Sequence, residues 1–133
     1  MNDLYTQEIL EHYRHPQNFG KLKKPTAQVY HLNPLCGDEI TLQILFDKRG
    51  AVKDIKFFGA GCALSTASAS LFTENFKGQS LTRLKKIQPE LLVKNLGVKV
   101  SPSRAKCVLL PYQALKQILA ELKSTRLPLY RRE

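Results

Sequence analysis

Between Ile40 and Phe46 the apolar residues Ile40, Leu42, Ile44 and Phe46 take every second position. A period of two over this length predicts a β-strand with one buried face. The polar stretch Asp47-Lys-Arg-Gly50 reads as a turn, and Val52, Ile55, Phe57 and Phe58 as the returning strand of a hairpin. Val29 to Leu32 is a third, shorter strand. Ahead of the strands, Tyr5, Ile9 and Tyr13 recur every four residues with Leu10 beside them. That spacing predicts a helix over residues 3–14 with these side chains in the core and Asn2 or Asp3 as its cap. His15-Pro16 ends it, and residues 16–25 read as a loop.

After Cys62 the alternation disappears. Residues 63–76 are rich in Ala, Ser and Leu and close at Lys77-Gly78, as a helix does. Residues 80–87 and 89–96 read as two short helices, the second with proline at its first position. Residues 98–103 read as a connector. A last helix opens at Pro111, with Leu115, Ile118, Leu119 and Leu122 as its core stripe. The fold class expected is α+β, a small antiparallel sheet of about three strands packed against helices. One domain over 1–133 is expected, with residues 124–133 a loosely ordered basic tail.

Composition narrows the functional classes. The chain has 133 residues, 43% hydrophobic and 24% charged, typical of a soluble globular protein. No apolar run approaches the roughly 18 residues of a membrane span, and the first ten residues do not read as a secretory signal, so a cytoplasmic protein is expected. Its net charge of +10 is unevenly placed. Residues 1–76 hold eight basic and eight acidic side chains, whereas residues 77–133 hold thirteen basic against three acidic. A basic half suits solubility or docking to an acidic partner; no aromatic-interleaved motif accompanies it, so nucleic acid is not expected.

The chemistry lies in the cysteines. Cys36, Cys62 and Cys107 are an odd set, 26 and 45 residues apart, without a C-x-x-C pair. They read as reduced thiols rather than as a disulfide framework. Each falls at the edge of an expected element: Cys36 in NPLCGD before the main strand, Cys62 in GAGCALSTASAS, Cys107 before the last helix. Gly59 and Gly61 permit a tight turn, which leaves Cys62 at a helix N-terminus where the dipole attracts an anion. The small residues that follow leave room for a neighbouring loop. Three thiolates with one further donor make a tetrahedral zinc or iron–sulfur site, and the nearest such donor is Asp38, a hard and therefore exchangeable ligand. From spacing alone, three unrelated buried thiols with Asp38 as a strand cap are an equally good reading.

NPLCGD (33–38), GAGCALSTASAS (59–70) and KCVLL (106–110) resemble, in order and spacing, the three cysteine motifs of the IscU/SufU scaffold family. ILEHYRHPQNFG (9–20) is similar to that family's first helix and the turn after it. The resemblance implies assembly of iron–sulfur clusters: sulfur arrives as persulfide from a pyridoxal-phosphate cysteine desulfurase, joins iron on the scaffold, and passes to apo-proteins. It implies that Cys36, Asp38, Cys62 and Cys107 hold Zn2+ or a 2Fe–2S cluster. The persulfide carrier is Cys107 by the IscU likeness and Cys36 by the SufU likeness.

Two departures qualify the match. Lys106 stands where the IscU branch places a ligating histidine, and an ammonium has no lone pair to give. The R-x-K-C run resembles instead the SufU branch, whose members hold zinc and relay persulfide, although the 45-residue spacing is of IscU length. VKVSPS (98–103) also lacks the L-P-P-V-K element offered to a dedicated Hsp70 chaperone, so that partner is in doubt. Arg104 and Lys106 are expected beside Asp38 and the thiols. His12, His15 and His31 are expected to be structural or exposed. The competing readings are a zinc-stabilised basic nucleic-acid-binding module and a cysteine-nucleophile enzyme; no histidine–carboxylate pairing accompanies the thiols to support the latter.

Overall fold

The computed structural model describes residues 3–34 and 37–125. Its elements in chain order are α1 (Asp3–Arg14), β1 (Ala27–Leu32), β2 (Glu39–Phe46), β3 (Val52–Phe58), α2 (Ala63–Phe76), α3 (Leu81–Lys85), α4 (Pro89–Asn95), α5 (Pro102–Val108) and α6 (Leu110–Thr125). The strands form one antiparallel sheet in the order β1-β2-β3. The α+β expectation is met, sheet first and helices after.

The alternating apolar face of β2 is the centre of the core, with Leu42 and Ile44 wholly buried and Phe46 nearly so. Ile55 of β3 stands opposite Ile44, and Val29 of β1 opposite Leu42. Over this face pack α2 and α6, the latter through Ala114, Leu115 and Ile118. Contrary to expectation, β2 is buried on its polar face as well: Thr41 and Gln43 are both covered. Gln43 Oε1 accepts the Leu22 N–H at 2.7 Å, and its amide donates to Gln28 Oε1 at 2.6 Å. The segment between α1 and β1 therefore lies along the sheet rather than away from it. Phe57 N–H donates to Asn18 C=O at 3.0 Å and Gly20 N–H to Phe57 C=O at 2.9 Å, so this segment also pairs the outer edge of β3.

Helix α2 carries hydroxyls where a core helix would carry methyls. Ser65, Ser68, Ser70 and Thr73 are all buried. Ser70 Oγ accepts the Gln17 N–H at 2.7 Å and lies 2.7 Å from His12 Nδ1, while Asn18 Nδ2 donates to Thr73 Oγ1 at 3.1 Å. Small side chains let α1 and the following turn come close, and the hydroxyls satisfy the polar groups brought in with them.

Several expectations are corrected. Among the described side chains of α1 only Ile9 is buried; Leu10 and Tyr13 are 37% and 44% exposed, and the Tyr5 side chain lies outside the described ones. The spacing predicts one apolar face in the core, but α1 packs chiefly on the small-residue surface of α2, which buries Ile9 and leaves Leu10 and Tyr13 exposed. The stretch before the last helix is itself helical: α5 takes in Pro102 and Ser103 of the expected connector and carries Cys107 near its end. Ser124 and Thr125 of the expected tail continue α6, and residues 126–133 lie outside the described chain.

Candidate metal centre

Three of the four proposed donors are described, and the fold assembles them. Asp38 precedes β2, Cys62 caps α2, and Cys107 lies in α5. One carboxyl oxygen of Asp38 and the two Sγ atoms all lie within 4.8 Å of one another. Cys36, the fourth, lies outside the described residues, two positions before Asp38. His12 and His31 take no part: the first pairs with Ser70, and His31 Nδ1 is 3.4 Å from Gln117 Oε1.

Backbone geometry explains how Asp38 and Cys62 meet. Asn33 N–H donates to Asp38 C=O and Gly37 N–H to Asn33 C=O, both at 2.8 Å, so the chain turns tightly into β2. Glu39 N–H then donates to Ala60 C=O at 2.8 Å, tying the start of β2 to the glycine loop. Gly59 is needed for this approach: its φ is +146°, and a Cβ there would strike the Glu39 carbonyl oxygen and lie 3.0 Å from Ile40 Cα. Gly61 leaves room for Ser65 Oγ.

Cys62 is the N-cap of α2, as expected. Its Sγ accepts the Ser65 N–H at 3.5 Å, and its C=O accepts Ser65 Oγ–H at 3.1 Å and Thr66 N–H at 3.0 Å. The thiol thus sits half-buried on the first turn of a 14-residue helix, among donors that favour negative charge.

Cys107 was expected on a loop edge but is a helical residue, 6% exposed. It is held by packing of α5 on α2 and by a bond the sequence did not suggest, in which Ser68 Oγ donates to the Val108 C=O at 2.6 Å. Arg104 and Lys106 lie exposed on the same short helix, and Asp38 Oδ2 receives no hydrogen bond from them or from any other described residue. Neither Cys62 nor Cys107 is disulfide-bonded.

The donor set fits a soft or borderline metal. Asp38 is 9% exposed, and its Oδ2 is buried without a hydrogen-bond partner among the described residues. A buried carboxyl oxygen left unsatisfied costs stability, about 1–3 kcal/mol. That cost is removed if the oxygen is a ligand. Two thiols and a carboxyl within 4.8 Å need only a small contraction, since zinc with bonds of about 2.3 Å to sulfur sets tetrahedral partners about 3.8 Å apart.

Comparison with known proteins agrees with this geometry. The family model for the NifU-like N-terminal domain matches residues 4–127. The iron–sulfur cluster assembly scaffold protein IscU of Haemophilus influenzae is 34% identical over 123 residues, spanning 90% of this chain and 96% of that protein. The iron–sulfur cluster assembly enzyme IscU of Drosophila melanogaster is 37% identical over 123 residues, 90% of this chain and 79% of that protein. Among solved structures, a candidate iron–sulfur cluster assembly scaffold for the SUF system from Fervidobacterium islandicum superposes with a TM-score of 0.73 at 29% identity, covering 88% of this chain and 97% of that one. A NifU-like N-terminal protein from Brucella abortus gives a TM-score of 0.73 at 22% identity over 92% of this chain and 96% of that one, a likeness of fold. The chain belongs to the NifU-like N-terminal family, that of the IscU-type iron–sulfur cluster assembly scaffolds.

Proposed function

We propose that this protein is an iron–sulfur cluster assembly scaffold that takes sulfur from a cysteine desulfurase, combines it with iron and hands the product to apo-proteins. The observation that carries the reading is the convergence of Asp38, Cys62 and Cys107 within 4.8 Å from three separate elements. Cys36, two positions before Asp38 in the sequence, would complete a set of three thiolates and one carboxylate. Iron and sulfide are the cargo of such a site, and Zn2+ is its alternative resident.

Sulfur transfer needs a thiolate of this chain to attack the outer sulfur of the desulfurase's persulfide. A new S–S bond forms as the old one breaks, and the desulfurase cysteine leaves as thiolate, so there is no net oxidation. Cys36 and Cys107 are the candidate carriers. Asp38, the hard oxygen donor, is the ligand most readily displaced to free a thiolate, and exposed Arg104 and Lys106 on α5 are near enough in sequence to Cys107 to receive its charge. The basic second half suits docking to an acidic face of the desulfurase, an attraction that salt would screen. No described helix is long and apolar enough to cross a membrane, and work in the cytoplasm is part of this proposal.

A second reading is a zinc-bearing sulfur relay, favoured by Lys106 in place of a histidine and by the SUF-system neighbour. Metal analysis with an absorption spectrum of anaerobically purified protein separates the two. A brown protein with visible charge-transfer bands and iron supports the scaffold; a colourless one with a single zinc that still accepts sulfur supports the relay. A protein that binds neither metal overturns both.

A further inference from the structure

Among the hydroxyls of α2, Ser68 is used differently from its neighbours. Ser65 Oγ returns to the carbonyl of Cys62, three residues back. Thr73 Oγ1 returns to Ala69 C=O at 2.8 Å, the usual bond of a hydroxyl inside a helix. Ser68 turns away from its own helix and donates at 2.6 Å to Val108 C=O, forty residues on in the chain and one residue past Cys107. Both groups are buried, Ser68 at 3% and Val108 at 0% exposure.

The element at the far end of this bond has little means of placing itself. Helix α5 has seven residues, too few to persist without tertiary support. Its buried residues are Cys107 and Val108 alone. Pro111, four residues past Cys107, has no N–H to continue the helical bonding from one helix into the next. Alongside the packing of Cys107, Val108 and the half-buried Leu109, one short hydrogen bond, Ser68 Oγ to Val108 C=O, ties the end of α5 to α2. Helix α2 is the same helix that Cys62 caps. The bond thus spans the two elements that present the two thiols.

From this we infer that Ser68 is a positioning residue for the metal centre, its hydroxyl setting the separation of Cys62 and Cys107. The inference rests on the metal-binding reading above and adds a residue to it. A structural hydroxyl would contribute stability wherever it sat. A positioning hydroxyl contributes affinity at one site, because a metal with fixed bond lengths is bound most tightly when its ligands need not be moved.

The test is titration of the reduced full-length apo-protein with Co2+ and Zn2+, by chelator competition and by the cobalt–thiolate charge-transfer spectrum, for wild type, Ser68→Ala and Ser70→Ala. Ser70 is a buried control on the same helix, since its contacts with His12 and Gln17 hold α1 and the turn after it and not α5. Ser68→Ala is expected to weaken binding of both metals about ten- to a hundred-fold, with an altered cobalt spectrum. Ser70→Ala is expected to keep wild-type affinity and spectrum while lowering the melting temperature. If Ser68→Ala is poorly folded, the same titration in trimethylamine oxide restores the compact state and leaves the comparison intact. Wild-type affinity and spectrum in Ser68→Ala overturn the inference, as does an equal loss in both variants, which would make the effect one of general stability. A wild-type protein that gives no cobalt–thiolate spectrum instead overturns the metal-binding reading itself.

Discussion

The central strand β2 is bracketed by two aspartates with opposite circumstances. Asp47, after its C-terminal end, makes the hairpin turn. Its Oδ1 accepts the Arg49 N–H at 2.9 Å and the Ala51 N–H at 3.0 Å, and its C=O accepts the Gly50 N–H at 3.0 Å. The Ala51 N–H does most to hold its carboxyl below the usual carboxylate range; desolvation opposes it, and the Arg49 N–H, the Arg49 charge and the Gly50 N–H add to the lowering. Asp38, before the N-terminal end, is buried, and its Oδ2 has no hydrogen-bond partner among the described residues. One end of the strand is a finished turn. The other carries a polar atom that no described residue satisfies, with two thiols beside it. The same residue type flanks one strand at both ends: at one end it completes a turn, and at the other it is the carboxyl for which a ligand role is proposed.

Five measurements break or sharpen this contrast. The largest effect is expected from Leu42→Ala, which empties the middle of the strand that both ends share. Leu42 is fully buried, so denaturant unfolding should show a loss of about 2–5 kcal/mol. A loss well under that range would mean the two ends are not held by a common core. Cys62→Ala should come next: the variant stays folded but purifies without metal, because thiolate and helix-cap position are removed together. Metal content by elemental analysis decides it, and full stoichiometry would exclude Cys62 as a ligand.

Chelation of the wild-type protein should lower its melting temperature, because the ligands come from elements far apart in sequence and binding holds them together. An unchanged melting curve after verified metal removal would leave the site with no part in consolidating the fold.

Asp38→Ala and Asp47→Ala are expected to have opposite signs in the apo-protein. Removing the unsatisfied Asp38 carboxyl should raise apo stability by about 1–3 kcal/mol while weakening metal binding and slowing desulfurase-dependent sulfur transfer. Lower apo stability together with wild-type transfer would make Asp38 an ordinary strand cap. Asp47→Ala should show the smallest effect, a modest destabilisation with metal content unchanged. Its pH dependence has a definite sign. A carboxyl whose folded pKa is depressed stabilises the fold above its unfolded pKa, about 3.9, and loses that contribution as pH falls through the lower folded value. Wild type and variant should therefore differ near neutral pH and converge in acid, read from melting temperatures across pH.

Much of this arrangement was legible beforehand, for reasons particular to each element. The strands β2 and β3 declared themselves because a period of two is a local property, and Cys62 was placed as a cap because glycines, a polar-sized side chain and a helical run adjoin one another. The misreadings share a cause. Tyr13 and Leu10 fit a helical stripe, but whether a stripe is buried depends on the width of what it meets. The polar face of β2 was expected to be open because nothing near it in sequence covers it; Leu22, some twenty residues earlier, does. The helix α5 was missed because seven residues with two prolines nearby carry little helical signal, and packing on α2 supplies what propensity does not.

The sequence by itself determined the strands and the order of the elements other than α5, the candidate donors and the family to which their motifs point, since these depend on residues within a few positions of each other. The tertiary structure alone decided that Asp38, Cys62 and Cys107 come within 4.8 Å, that one carboxyl oxygen is buried without a partner among the described residues, and that Ser68 reaches across to Val108. Separations of 24 to 69 residues in the chain divide those donors. No local pattern records a distance of that kind, because it is set by how α2, α5 and the start of β2 pack around the core they share.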